Sequence, residues 1–350
     1  MGKRIWLTAA VMCLICFTGC GKTLALSDRS IVKAVYAEKS LQRYEVAVVV
    51  AEEEKEESSF SLKWAESDTI ANAMHKLEEE CEKKLFYGQN QLLLVGKNAS
   101  KSDFSQALEY FSAEQSSRPN MAVYATKMDK KEFEEWADSK NFEDAVLRLE
   151  KNLENSQKTA RMIFEIETTE KGVQGFVPLL EVEKEETDTT QLVLYRDDKM
   201  QECLGGEQAQ IARLLLGMQT ELNISQDYEG EEVRFSVDDP QILRTVQAGT
   251  DGPVLNLTLT GTVRGVSADR AQRQAQLSGW KSRKDLSLQI SQNIVTILNK
   301  TVEKAWNPSD PFGFCWWFSM WNAADTASLI ETKQLWEYAS ISADVNIRVI

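Results

Sequence analysis

The chain has 350 residues, with 40 Lys and Arg against 54 Asp and Glu, so its formal net charge is −14. This acidic balance, without a basic patch, argues against nucleic-acid binding, because such binding depends on neutralising phosphates. The single histidine, His75, excludes a multi-histidine metal site. At roughly 150 residues per domain the length allows two or three domains. We therefore expect a protein that binds, scaffolds or transmits, with no metal or cofactor, rather than an enzyme.

The first twenty residues predict a bacterial lipoprotein signal peptide. Lys3 and Arg4 give a positive start, and the uncharged run 5–17 is too short to cross a hydrocarbon core of about 30 Å as a helix. The run ends at Cys20 after a small residue and a glycine, which resembles the lipobox. In a lipobox the cysteine carries diacylglyceryl and N-acyl groups, such as palmitate. We therefore predict a signal peptide over 1–19, with an ordinary secretory signal or a short anchor helix as the alternative.

Residues 20–26 are predicted to form a short lipidated tether that keeps the body close to the membrane. Loss of the signal removes two positive charges, so the body is not attracted to an anionic membrane and the lipid must hold it there. The remaining cysteines, Cys81, Cys203 and Cys315, are far apart and odd in number. They indicate free thiols rather than a redox motif or a zinc site.

Residues 27–127 are predicted to form an N-terminal α/β domain with the order β-β-α-β-α-β. A series of β-branched runs and amphipathic stretches indicates this order. The predicted elements are strands over 31–36 and 44–51, an acidic hairpin tip over 52–59, a helix capped by Ser67 or Asp68 with Ile70, Met74, Leu77, Cys81 and Leu85 on one face, a strand over Leu92–Val95, a helix over 103–113 and a strand over 121–126.

Residues 128–205 are predicted to form a middle domain. Asp129 and Glu132 fit a capping box, because the Asp side chain can bind an amide of the first turn while the Glu side chain reaches back. The predicted elements are a helix to residue 138, an Asn141-capped helix to about 155, strands over 161–170, 176–183 and 191–196, an acidic loop over 183–188, and a return strand over 200–204.

Residues 206–350 are predicted to form a C-terminal α/β domain. Its last strand, Ser340–Val349, alternates in polarity and is predicted to pair with the strand over 254–266 in a sheet with two helices on one face. The other predicted elements are a helix over 207–222, a strand over 232–237, a turn at 251–253, a polar connector over 264–275, a long helix over 285–305 and a helix over 323–338.

The chain contains no recognised catalytic motif, and its paired carboxylates, such as Asp238-Asp239, fall at predicted turns. The unusual feature is an aromatic cluster near the C-terminus. It is interpreted either as a small core or as a surface for a partner or a membrane, since exposed aromatic side chains favour both. The candidate contact residues are Phe312, Phe314, Trp316, Trp317 and Trp321.

Several segments together resemble one family, the C subunits of bacterial spore germinant receptors, known as Ger(x)C lipoproteins. They occur in the family's order through nearly the whole mature chain, although Gln89 stands where many members have a histidine. The segments are the signal ending at Cys20, the Asp-Arg opening at 28–32, the aromatic pair and strand over 84–96, the Pro-containing strand at 176–180, the run 194–207, the Phe-Gly-Phe element at 312–314 and the alternating final strand.

The resemblance implies a non-enzymatic lipoprotein on the outer face of the spore inner membrane. Family members act with an A subunit and a multi-spanning B subunit, both integral membrane proteins, to trigger germination when nutrients bind. Their fold is an elongated body of three α/β domains with mixed sheets and packed helices. Two other classes remain open: a solute-binding lipoprotein of a membrane transporter, and a cell-wall hydrolase.

Overall fold

The structure is a computed structural model. It describes residues 29–52, 59–81, 83–114, 117–118, 120–152, 161–162, 175–183, 186–196, 198–218, 221–228, 231–266, 283–306, 310–322 and 335–349. The predicted signal peptide, Cys20 and the tether lie outside these residues, as do the acidic tip over 53–58 and most of the predicted strand over 161–170. Residues 267–275 of the predicted connector and 323–334 of the predicted helix lie outside them too.

The N-terminal and middle segments share one mixed sheet. Its strands are β1 (Arg29–Ser40), β2 (Arg43–Glu52), β3 (Ser59–Ser67), β4 (Lys84–Phe86), β5 (Leu92–Val95), β6 (Ala122–Thr126), β7 (Arg161–Met162), β8 (Gly175–Glu183), β9 (Glu186–Asp188), β10 (Leu192–Arg196) and β11 (Lys199–Leu204). The main path through the sheet is β11-β10-β8-β6-β5-β1-β2-β3. Helices pack on it: α1 (Ile70–Glu80), α2 (Ala99–Ser102), α3 (Phe104–Ala113), α4 (Lys130–Ala137) and α5 (Phe142–Lys151).

The centre of this sheet is parallel, because β1, β5, β6 and β8 run in one direction. Parallel strands covered on both faces are expected to be continuously apolar, and every residue of β5 is buried. One face packs against α1 and α3, and the other against α4 and α5. The sheet continues across the predicted boundary at 127/128, since Thr126 of β6 pairs with Leu180 of β8.

The C-terminal segment forms a second sheet with the order β12-β13-β14-β15. Its strands are β12 (Glu221–Tyr228), β13 (Glu231–Ala248), β14 (Pro253–Val266) and β15 (Ser340–Val349), and its helices are α6 (Gly206–Leu215), α7 (Arg283–Ala305), α8 (Phe314–Trp321) and α9 (Leu335–Tyr338). The predicted pairing of the last strand is confirmed: β15 lies parallel to β14, from Val254 opposite Ser340 to Val263 opposite Val349. Helix α7 covers the sheet, and the Asn293 amide donates to the Ser225 carbonyl oxygen at 2.8 Å.

The mixed α/β class predicted from the sequence is confirmed, with several local corrections. Helix α1 is capped by Thr69, whose hydroxyl accepts the Asn72 N–H at 3.1 Å, not by Ser67 or Asp68. Leu85 belongs to β4, not to that helix. Strand β3, which alternates through residues 60–64, was not predicted as an element.

Three further corrections concern turn residues. Helix α6 ends at Leu215, and Gly217 adopts a φ of +71°, so Leu222 lies buried in β12 although it keeps the helical spacing. Asp239, with a φ of +48°, belongs to a bulge inside β13, not to a turn that ends the strand. The acidic run over 183–188 includes β9, which pairs with β8 where a loop was predicted.

Among the described helices, none combines the length and the apolar character that a membrane span requires.

Candidate functional site

The aromatic segment, defined here as Asp310–Trp321, is built around the start of helix α8. The Asp310 carboxylate accepts the backbone N–H of Phe314 at 2.7 Å and that of Cys315 at 2.6 Å, so it satisfies two amides that the helix leaves unpaired. Gly313 precedes the helix with a φ of +70°, a left-handed conformation that glycine adopts at little cost. The Asp-Pro-Phe-Gly-Phe sequence therefore determines where helix α8 begins.

One side of α8 is part of the C-terminal core. Phe314 and Phe318 are fully buried, and Trp306 packs its ring 5.8 Å from that of Phe314. Phe312 is 8% exposed and its ring lies 5.2 Å from Phe176 of β8, so it joins the core to the first sheet. Two of the predicted contact residues, Phe312 and Phe314, thus lie in the protein interior.

The other side of α8 carries exposed aromatic side chains. Trp316 is 58% exposed, Met320 55% and Trp321 47%. Trp317 is half-buried and meets the Trp316 ring edge-to-face at 5.1 Å. At 100° per residue these four positions fall on one side of the helix. We call Trp316, Trp317, Met320 and Trp321 the exposed α8 face; Met320 was not among the predicted contact residues.

The crevice between β1 and β5 marks the point where the chain order of the sheet reverses, which is where open α/β sheets commonly bind ligands. Here the Glu38 side chain, only 3% exposed, occupies it. Its carboxylate accepts the N–H groups of Asn98 and Ala99, both at 2.9 Å. Burial raises the pKa of Glu38, while these bonds oppose the rise. The Glu38 carboxylate thus occupies the position in the crevice where a ligand would bind in such a sheet.

Sequence reasoning missed Glu38. Its signal is an acidic residue that directly follows the apolar run 34–37 of β1, together with Gly96 after the neighbouring strand β5. A Cβ atom on Gly96 would lie 2.6 Å from the Tyr36 hydroxyl and 2.8 Å from the Glu38 carboxylate, so any larger residue there would displace these buried side chains. The Tyr36 hydroxyl donates to the Met128 carbonyl oxygen at 2.9 Å.

The run 194–207, which carries part of the family resemblance, fastens a hairpin to the first sheet's helices. The Tyr195 ring stacks on Phe104 with 4.1 Å between centroids. Asp198, with a φ of +67°, accepts the Ser105 N–H at 2.9 Å and so caps α3 from a distant part of the chain. This run therefore has a structural role that its turn-like composition does not reveal.

The three cysteines of the described body are free and half-buried, as predicted. Burial raises the pKa of the Cys81 and Cys203 thiols, which makes them poor nucleophiles. Within the described ranges no group of His, Cys, Asp or Glu side chains is placed to hold a metal ion. His75 lies on the solvent side of α1, with its side chain 74% exposed.

Comparisons with known proteins agree with this fold. A family model described as "Spore germination protein N-terminal domain" matches residues 23–182. A solved structure described as "Crystal Structure of the GerBC protein" superposes with a TM-score of 0.59 at 10% sequence identity, over 90% of this chain and 96% of that chain. No curated protein matches the sequence.

The mixed sheets and packed helices define an α/β protein with the fold of GerBC. Residues 23–182 match the N-terminal domain of spore germination proteins, which supports the resemblance to the Ger(x)C family that the sequence predicted.

Proposed function

We propose that the protein is the C subunit of a spore nutrient germinant receptor, a non-enzymatic lipoprotein that works through contacts with the A and B subunits. The observation that carries the proposal is the spore germination domain over residues 23–182. The match of fold to GerBC over nearly the full length of both chains supports it.

The proposed location is the outer face of the spore inner membrane, with the protein held by lipid on Cys20. Its support is the sequence of the first twenty residues, where a positive start, an apolar run and the cysteine occur in lipobox order. An acidic body needs such an anchor, because electrostatic attraction to anionic lipid is absent.

The proposed contact with a partner subunit is the exposed α8 face. Trp and Met are enriched at protein interfaces, and energetically dominant interface residues are often Trp. The acidic composition favours a protein partner over an anionic bilayer as the occupant of this face. If the exposed α8 face bound lipid instead, the protein without its lipid anchor would still bind membranes, and that binding would depend on Trp316.

Replacing Cys20 tests the anchor. In spores that carry Cys20→Ala we expect the protein to leave the membrane fraction and nutrient-triggered germination to be lost. Cys16→Ala is the matched control, since it makes the same change within the predicted signal and should preserve both. Membrane attachment retained by Cys20→Ala would contradict the anchoring proposal.

A further inference from the structure

A cavity of about 430 Å³ lies between the end of helix α6 and the middle of strand β13. This α6–β13 cavity is within the size range of ligand pockets. Its wall is mostly apolar and includes Leu214, Leu216, Pro240 and Ile242. Among the described residues that line it, only Arg244 is charged. The cavity thus combines an apolar wall with a single positive charge.

Arg244 breaks the pattern of its own strand. Side chains at every second position of a strand point to the same face, and Ile242 and Val246, on either side of Arg244, pack against the C-terminal core. Arg244 is therefore half-buried on the apolar face of the sheet. Burial lowers the pKa of its guanidinium, and no carboxylate of the described residues opposes that shift. A cation in such a place needs polar partners to offset its desolvation.

The structure supplies Arg244 with one such partner. Its Nη2 donates to the Leu215 carbonyl oxygen at 2.6 Å, one of the last carbonyls of α6, which a helix leaves unpaired. A guanidinium has five N–H donors, and this bond uses one of them. None of its nitrogens is buried without a partner, so the other donors are open to solvent. In the described parts of the chain no carboxylate forms an ion pair with it.

The charges around the cavity limit what can bind to Arg244. The carboxylates nearest to it along the chain, Asp238 and Asp239, do not line the cavity, and Asp239 accepts the Gln241 Nε2–H at 2.9 Å. The body as a whole is acidic, but salt screens exposed charges that are more than about 8 Å apart. A single carboxylate at Arg244 is therefore attracted, whereas the acidic surface would repel a run of acidic residues.

We propose that the α6–β13 cavity binds an acidic side chain of a protein partner, an Asp or Glu flanked by aliphatic residues. The Leu215 carbonyl orients the guanidinium of Arg244 for the carboxylate, and Leu216 and Ile242 contact the aliphatic neighbours. Arginine is enriched among the residues that dominate protein interfaces, which favours a protein over a free acid. The site shares no residue with the exposed α8 face, and it rests on the proposed function only for the identity of the partner, a receptor subunit.

Calorimetric titration of the full-length chain in detergent tests the cavity. The probes are the peptide acetyl-Leu-Glu-Leu-amide and its uncharged counterpart, acetyl-Leu-Gln-Leu-amide. We expect the Glu peptide to bind saturably and at least about tenfold more tightly than the Gln peptide, because only the carboxylate forms charge-assisted hydrogen bonds with Arg244. Its affinity should fall as salt is added. Both peptides are measured on the unaltered protein, so this comparison does not depend on how a variant folds.

Variants then assign the binding to the cavity. Arg244→Gln should weaken the Glu peptide about tenfold and remove the difference between the peptides, whereas Arg244→Lys keeps the charge and should weaken it less. Arg348→Gln is the matched control, because it removes the same charge from an exposed position of β15 outside the cavity, and it should leave the affinity unchanged.

Three results would overturn the proposal: equal binding of the two peptides, equal weakening by Arg348→Gln and Arg244→Gln, or binding of isovalerate as tight as that of the Glu peptide. The last would make the cavity a site for small free acids. None of them would contradict the receptor role, because recovery of the A and B subunits tests that role separately.

Discussion

The β1–β5 crevice and the exposed α8 face differ in burial. The side chain that fills the crevice is buried and hydrogen-bonded, whereas the aromatic side chains of the α8 face are exposed to solvent. In the crevice Glu38 is buried and its carboxylate accepts hydrogen bonds from three backbone N–H groups. On α8, Trp316 and Trp321 keep about half of their surface in solvent although Phe314 and Phe318 of the same helix are fully buried. The contrast separates side chains that the fold needs from side chains that remain available to a partner.

The largest expected effect is on the buried side of α8. Phe314→Ala should lower the free energy of unfolding by about 3–5 kcal/mol, because it leaves a cavity where a fully buried ring packs against Trp306 and Phe312. Chemical denaturation measures it. A loss below about 1 kcal/mol would show that the two sides of α8 do not differ as the structure describes.

The next effect is at Glu38. Glu38→Ala should cost about 2–3 kcal/mol, because the N–H groups of Lys39, Asn98 and Ala99 would lose their acceptor. Glu38→Gln keeps an acceptor oxygen without the buried charge and should stay within about 1 kcal/mol of the unaltered protein. Equal losses in the two variants would show that the hydrogen bonds are not what holds the crevice closed.

The unaltered protein and Glu38→Gln should also differ in how their unfolding free energies change with pH. The folded pKa of Glu38 is raised above its ordinary value of 4.5, so the folded state holds this proton more tightly than the unfolded state. Its contribution to stability is therefore fully present below pH 4.5 and falls as pH rises through the folded pKa. The difference in unfolding free energy between the unaltered protein and Glu38→Gln should decrease over that window. An increase with pH would reverse the assigned direction.

A smaller effect is expected at the start of α8. Asp310→Ala removes the acceptor for the first-turn amides of Phe314 and Cys315 and should cost about 1 kcal/mol, typical of a lost helix cap. Asp310→Asn keeps an acceptor oxygen and should cost less. Thermal unfolding of both variants measures the order, and an Asn variant no more stable than the Ala variant would contradict the capping role.

The sequence predicted the elements with strong periodicity and missed those that depend on distant contacts. The capping box at Asp129 and the pairing of β15 with β14 could be predicted because each rests on a local signal or on a long alternating run. The end of α6 could not, since Leu222 continues the helical spacing while Gly217 turns the chain. Spacing alone does not tell a helix from a turn followed by a strand.

The candidate site was predicted in part, for a similar reason. Composition located the aromatic cluster, but it could not separate Phe312 and Phe314, which are buried, from Trp316 and Trp321, which are exposed. That separation depends on how the sheet and α8 pack together. The division into three domains and the role of Cys20 stay predictions.

The most direct test of the proposed role uses the double variant Trp316→Ala, Trp321→Ala. Leu288→Ala, which alters a residue 57% exposed on α7, is the control. Recovery of the A and B subunits with each protein purified from spores is measured together with thermal stability. We expect the double variant to unfold within about 1 kcal/mol of the control but to recover at least about tenfold less of its partners. Recovery equal to that of the control would contradict a receptor subunit that works through the exposed α8 face.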